Sequence, residues 1–281
     1  MGDKQLAGRC GSWRGTATPG CTYATLWAMT TNATAQSGAW PGSARQTDSY
    51  VITMANQKGG VGKTMLALAL AAHTAAANGR ALLVDVDPQA NSYDLSAVME
   101  DPGYDSLHEL DPAQLAKLRR LRDYDTILVD SPGSIGSIDR QGPSGDKAAT
   151  VLAGLLREST FVLLPYNHMP EAVRPTVRTA AVIRDAGVPF AAVVTMADTT
   201  RGEDRLRAWV DEAHGVLAAA GVPYFRSFVR QYRAWPNSVR AGVPITRYSE
   251  RHAPKVREDV GRLHAELLLE LGRRVPGRSA P

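Results

Sequence analysis

Cysteine is nearly absent: the 281 residues hold only Cys10 and Cys21, and both precede the first segment with a regular apolar rhythm. Neither a disulfide framework nor a cysteine-ligated metal can hold the core together, and this usage fits a reducing cytoplasm. Long apolar runs are missing as well. No stretch approaches the roughly 18 consecutive apolar residues that a membrane-spanning helix needs. The six histidines, His73, His108, His168, His214, His252 and His264, show no metal-ligand spacing, so no metal site is read from them. Charge of one sign is not in large excess either. Lys and Arg number 32 against 28 acids, a formal net charge of +4, so partners must be sought in how the charge is distributed. What the chain does have is 44% hydrophobic residues, ample for a buried core.

Residues 1–48 are rich in Gly, Ala, Ser and Thr and carry no sustained apolar period, which predicts a flexible low-complexity leader outside the fold. Lys4, Arg9 and Arg14 ahead of residues 23–29 and Ala33-Thr34-Ala35 imitate a signal peptide, but the apolar stretch is short and broken by threonine. From Ser49 the rhythm changes to short apolar runs separated by helical stretches. This is the pattern of an α/β fold with a mostly parallel central sheet flanked by helices on both faces. Strands are predicted over residues 50–55, 81–86, 126–130, 161–165, 190–196 and 224–229, and helices over 63–78, 106–121, 147–158, 171–186, 203–220 and 255–271. Gly79, Gly187 and Gly221 each follow a helix, where a left-handed C-cap suits glycine. One domain over 49–271 and a flexible tail over 272–281 complete the expected organisation, with the freest connections at 131–146 and 197–202.

Lys58-Gly59-Gly60-Val61-Gly62-Lys63-Thr64 joins the first strand to an alanine-rich helix. A phosphate group needs several inward N–H donors at a helix N-terminus, and Gly59, Gly60 and Gly62 let the backbone wrap closely enough to supply them. Lys63 would reach the β- and γ-phosphates, and the Thr64 hydroxyl would bind Mg²⁺. Val61 and Met65 complete the nucleotide-contacting run. The strict P-loop pattern fails at its first glycine, where Gln57 stands, and a second lysine, Lys58, lies beside the loop. In this form, Asn56-Gln57-Lys58-Gly59-Gly60-Val61-Gly62-Lys63-Thr64 resembles the deviant Walker A motif of the ParA/MinD family of P-loop ATPases.

Two further segments strengthen the resemblance. Ala81-Leu82-Leu83-Val84-Asp85-Val86-Asp87-Pro88-Gln89-Ala90-Asn91 is an apolar strand ending in two carboxylates, similar to the family's second motif. Tyr124-Asp125-Thr126-Ile127-Leu128-Val129-Asp130-Ser131-Pro132-Gly133 resembles its Walker B strand and switch turn. Carboxylates at the C-terminal ends of parallel strands face the crevice where ligands bind. The resemblance, which spans residues 49–271, implies ATP and Mg²⁺ as cofactors and Lys58, Lys63 and Asp87 as catalytic residues. Asp87 would orient or polarise the attacking water, and Asp85 would support the surroundings of the metal. Asp130 would hold Mg²⁺ through water, and the Gly133 backbone would sense the γ-phosphate. Met65 stands where the family usually has a small hydroxyl residue and reads as a packing variation, while residues 133–145 are longer and richer in glycine than usual. The late stretch 228–245 lacks the family's frequent Ile-Pro-Arg and Glu-Ala pairs, so no adenine-contacting residue is assigned.

In the family, the extra lysine reaches across a nucleotide-sandwich dimer, so Lys58 implies an ATP-dependent homodimer in which it offsets the charge of two facing triphosphates. Arg226, Arg230, Arg233, Arg240, Arg247 and Arg251, followed by Lys255 and Arg257, meet only Glu250 among acids over residues 226–257. Such a cluster would bind DNA phosphates without reading bases. The expected function is therefore that of a ParA-like partition ATPase that segregates plasmid or chromosomal DNA, slow in intrinsic turnover, nucleoid-associated in the cytoplasm and reset by a ParB-like adaptor. A MinD-like membrane switch would need an amphipathic C-terminal anchor, whereas residues 260–271 read as a final packing helix that Gly272-Arg273-Arg274-Val275-Pro276 breaks, so no stable membrane association is expected. A small-molecule ATP-dependent synthase of the same superfamily would need neither Lys58 nor the basic late segment. Iron–sulfur carriers are excluded, because no cysteine follows Cys21.

Overall fold

The computed structural model describes residues 48–133, 147–200 and 202–274. The expected leader apart from Asp48, residues 134–146 and the last seven residues of the expected tail lie outside this set. Seven strands form one sheet in the order β3-β2-β4-β1-β5-β6-β7, and every pairing is parallel. They are β1 (Tyr50–Met54), β2 (Ala81–Asp85), β3 (Asp105–His108), β4 (Thr126–Asp130), β5 (Phe161–Tyr166), β6 (Phe190–Ala197) and β7 (Tyr224–Arg230). The helices are α1 (Lys63–Ala76), α2 (Asn91–Ala97), α3 (Pro112–Leu115), α4 (Lys147–Glu158), α5 (Pro170–Asp185), α6 (Glu203–Ala219), α7 (Ala234–Arg240) and α8 (Ala253–Arg274).

Strand alternation sorts the core to two faces. Ile52, Met54, Leu83, Leu128, Leu163 and Val193 pack with α1, α7 and α8 on one face. On the other, Val162, Leu164 and Val194 pack with α4, α5 and α6, while Val51, Val84 and Val129 pack with Leu115 of α3 and Leu118 beyond it. Helix α1 is apolar almost all round, with Leu66 through Ala72 buried, because it lies between the sheet and α8. In α8, Val260, Leu263, Leu267 and Leu271 recur at helical spacing and are all buried, which makes it a packing helix. It continues through Gly272 to Arg274, the first three residues of the expected break over 272–276, whose last two lie outside the described residues.

The predicted helix over 106–121 is incorrect. Leu107, Leu115, Leu118 and Leu121 imitate a helical period, but Asp105–His108 pairs with β2 as a strand. Asp111 then caps a new short helix through its side chain, with Pro112 in the first turn. Helices α2 and α7, seven residues each, are too short to show a period of their own. The left-handed residue after α1 is Asn78 (φ 64°) and not Gly79, whereas Gly187 and Gly221 hold the expected conformation with φ of 70° and 64°.

Strand register places the chemistry. Met54 lies beside Asp130, and Asp130 beside Asp85, so β1, β2 and β4 end level at one edge. The chain turns to opposite sides of β1 when it enters β4 and β5, and the crevice of an open parallel sheet opens at such a point.

Candidate functional site

The loop between β1 and α1 is held from outside before any ligand is considered. Asn56 donates through Nδ2 to the Pro165 carbonyl (2.8 Å) and Thr176 Oγ1 (2.9 Å), while its Oδ1 accepts from the Lys58 N–H (2.9 Å). Thr179 Oγ1 accepts from the Gln57 N–H, and Thr195 Oγ1 donates to the Val61 carbonyl at 2.8 Å. Gly60 and Gly62 have φ of 73° and 87°, a region that side-chain-bearing residues seldom adopt. Gly62 is the N-cap of α1, no side chain caps that end and no acid occupies its first turn. The first N–H groups of α1 are thus left for an anion.

Lys63 is buried, and its Nζ donates to the carbonyls of Asn56 (3.2 Å) and Lys58 (3.3 Å). Burial lowers its pKa, while the charges of Asp130 and Asp87 pull it back up. Gly133 closes the loop from the far side: a Cβ there would lie 3.3 Å from Gly59 Cα and 3.4 Å from Lys63 Nζ. The Asp130 carboxyl is pushed up to about 7, first by burial and further by Asp85, against the opposing effects of the Thr64 hydroxyl, Lys63 and Ser92. Among the described residues, its Oδ1 is buried without a hydrogen-bond partner. An unsatisfied buried carboxylate oxygen beside a threonine hydroxyl is costly unless a cation or its water completes it. The residues present therefore fit a hydrated Mg²⁺, with Thr64 and Asp130 as the groups that could hold it.

Asp87 lines the crevice, and its Oδ1 accepts the Gln89 N–H at 3.0 Å, which leaves the carboxylate at the mouth of the loop. Asp85 does not line it. Fully buried, Asp85 spends Oδ1 on the Asp87 N–H (2.9 Å) and Oδ2 on the N–H groups of Ser92 (2.7 Å) and Tyr93 (3.0 Å). It ties the Asp87 turn to the start of α2 and acts on the site from beneath. Val61 is buried and presents only backbone, whereas Met65 lines the crevice and packs against the core. Lys58 is half-buried, and its ammonium makes no hydrogen bond or ion pair among the described residues.

The crevice encloses about 850 Å³ and extends well past the phosphate loop. Its far wall is made by Thr195 and Met196 near the end of β6, by Asp198 just past it, and by Gln231, Tyr232 and Trp235 after β7. Sequence reasoning assigns none of these. The available signal is positional: in a parallel sheet the residues just past each strand reach the same edge as the loop after β1. Met196 holds φ 55°, an uncommon conformation for a non-glycine residue and one that recurs at functional sites.

The six arginines of the basic segment are not one surface. Arg233 and Arg240 are exposed at the two ends of α7, and Arg251 is exposed in the turn before α8. Arg226, also exposed, lies in a separate hollow with Arg207, Asp211, His214 and Tyr224. Arg247 is exposed, but its guanidinium donates to the Glu100 and Asp101 carbonyls and to the Asp101 carboxylate. Arg230 contradicts the expectation outright: it is buried at 7% exposure and ion-paired with Asp259, so it cannot contact DNA. Its partner lies just past the span in which acids are scarce.

Residues 52–278 match the family model described as the CobQ/CobB/MinD/ParA nucleotide binding domain. The chain is 30% identical over 219 residues to the maintenance of carboxysome distribution protein A of Gloeobacter kilaueensis, covering 77% of this chain and 93% of that protein. It is 34% identical over 142 residues to the chromosome-partitioning ATPase Soj of Thermus thermophilus, covering 50% of this chain and 54% of Soj. The ATP complex of Cyanothece McdA superposes with a TM-score of 0.56 at 14% identity, over 79% of this chain and 97% of that one, which bears on the fold alone.

Proposed function

The chain belongs to the CobQ/CobB/MinD/ParA family of nucleotide-hydrolysing P-loop ATPases, and from that premise we propose that it is an ATP-timed positioning switch. In this reading two chains pair around bound ATP, the pair binds DNA without sequence preference, and an adaptor protein stimulates hydrolysis to reset it. The observation that carries the reading is Lys58. Lys63 already stands buried inside the loop, so a second lysine at its rim, with no partner among the described residues, is surplus to a site served by one chain.

The placement of the site residues supports a role for each. The N–H groups of Gly59 to Met65 would bind the β- and γ-phosphates, Lys63 would neutralise them, and Asp87 would position the attacking water. Asp85 would hold the Asp87 turn, and Gly133, packed against Gly59 and Lys63, would report the γ-phosphate through its backbone. Thr64 and Asp130 would hold Mg²⁺, whose charge offsets that developing on the phosphate oxygens. Lys58 would compensate the partner's triphosphate. Slow turnover suits a switch, since the ATP state must outlive DNA binding. The cargo is a DNA molecule or a large protein assembly, and the likeness to a carboxysome distribution protein and to a chromosome-partitioning ATPase supports both. Helix α8 buries its apolar stripe in the core, which weighs against a membrane anchor at this position.

Steady-state ATP hydrolysis by the isolated chain, with and without DNA and the product of the neighbouring gene, tests the reading. The expected result is slow basal turnover raised by both together. Rapid turnover that responds to neither would contradict it.

A further inference from the structure

Arg230 ends β7, where the crevice wall opposite the phosphate loop begins. Both its side chain and its main chain are tied to Asp259 of α8. Its Nε donates to Oδ1 (3.0 Å) and Oδ2 (2.9 Å), its Nη2 to Oδ1 (2.6 Å), and its own N–H to Oδ2 (3.0 Å). Nη2 also reaches the Glu258 carboxylate and the Lys255 carbonyl, each at 3.4 Å. The Arg230 carbonyl accepts the indole N–H of Trp235 at 3.2 Å, and the guanidinium carbon lies 5.7 Å from the Tyr232 ring centre. One ion pair thus holds the strand end, the following loop and the first turn of α7.

Stability alone explains this poorly. Asp259 is 2% exposed and Arg230 is 7% exposed, and a buried ion pair of this kind is often no more stable than apolar residues of similar volume. What the pair does supply is a fixed geometry, because a bidentate guanidinium–carboxylate contact specifies orientation as well as distance. The groups it orients are Gln231, Tyr232 and Trp235, all on the crevice wall.

We infer that the Arg230–Asp259 pair is a positioning device for the nucleoside half of ATP, holding the wall that receives base and ribose while the loop after β1 holds the phosphates. The inference rests on the nucleotide reading above and deepens it. Arg230 touches no reacting atom; it acts through Gln231, Tyr232 and Trp235. Its Nε and Nη2 donate to Asp259, Glu258 and the Lys255 carbonyl, which fixes the guanidinium against α8.

Titration calorimetry with Mg-ATP, Mg-GTP and magnesium tripolyphosphate separates the two halves of the site. In Asp259→Asn, ATP affinity is expected to fall about tenfold and the preference for ATP over GTP to shrink, while tripolyphosphate affinity stays within about twofold of the parent. Asp259→Glu should restore part of the ATP affinity. Should Asp259→Asn not fold, Trp235→Phe removes the indole donor to the Arg230 carbonyl together with part of the ring, and should weaken ATP about threefold, again sparing tripolyphosphate. The inference is overturned if ATP and tripolyphosphate weaken together, if folded variants bind ATP like the parent, or if the parent binds ATP no better than tripolyphosphate. A parent that binds neither ligand contradicts the nucleotide reading itself.

Discussion

At the scale of single residues, sequence carries most of what lies near β1 and little of what lies near β7. The loop residues Gly59 to Met65 are contiguous, so their spacing alone describes a phosphate cradle. Asp87 and Asp130 are separated in the chain, but each follows or ends an apolar strand, and a parallel sheet brings such ends together. Arg230 misleads for the opposite reason. Its partner Asp259 is 29 residues away on α8, and a local count of charges cannot register a contact of that separation. Asp85 is legible as important, but its three backbone N–H partners depend on how α2 turns, which seven residues of weak periodicity do not reveal. Lys63 carries the sharpest expectation at this scale. Because its buried ammonium is held inside the loop by the Asn56 and Lys58 carbonyls, Lys63→Ala should lower ATP affinity by roughly 100-fold or more, measured by fluorescence of a labelled nucleotide, without lowering thermal stability. Unchanged affinity would remove Lys63 from the site.

Elements are legible where period and length agree and are lost where short pieces join. The apolar spacing from Leu107 to Leu121 suits a helix, yet Pro112 and the Asp111 cap divide it into a strand and two short turns. The contact between α1 and α8 adds a pH dependence that neither helix shows alone. His73 and His264 meet edge to face, with ring centres 5.0 Å apart, and His264 lies 3.4 Å from Thr74 Oγ1. Burial, and then the neighbouring His73, lower the His264 pKa to about 4, and burial also lowers that of His73. Both groups are therefore neutral in the folded chain at neutral pH, and below the ordinary histidine value the unfolded chain binds more protons. Their contribution is complete above about pH 6.5 and fades as pH falls toward 4. Urea unfolding should show a loss on the order of 2 kcal/mol between pH 7.5 and 5 from His264. The loss should be smaller in His264→Gln, and an equal acid loss in both proteins would show that the pair does not titrate as described.

For the whole molecule, the parallel sheet, the two helical faces and the family are all within reach of the sequence, since apolar strands, their terminal carboxylates and the loop between β1 and α1 reinforce one another. The basic surface is only partly so, because an arginine in the sequence can be a surface charge, an internal tie or a bridge between loops. Arg240 and Arg251 are exposed and lie away from the crevice wall, so they test DNA binding without disturbing the nucleotide. Reversing both to Glu should weaken DNA binding in Mg-ATP about tenfold or more and flatten its salt dependence, while ATP affinity holds. DNA binding that survives the double reversal would place the interface elsewhere.

The central claim is that ATP joins two chains through Lys58. Light scattering of Asp87→Ala, in which hydrolysis should be blocked, reports it directly through the molar mass in Mg-ATP and in Mg-ADP. The account expects twice the monomer mass in ATP, the monomer mass in ADP, and the monomer mass in both once Lys58→Ala is added. A saturated ATP complex that stays monomeric, or a dimer that forms equally well without Lys58, would contradict it.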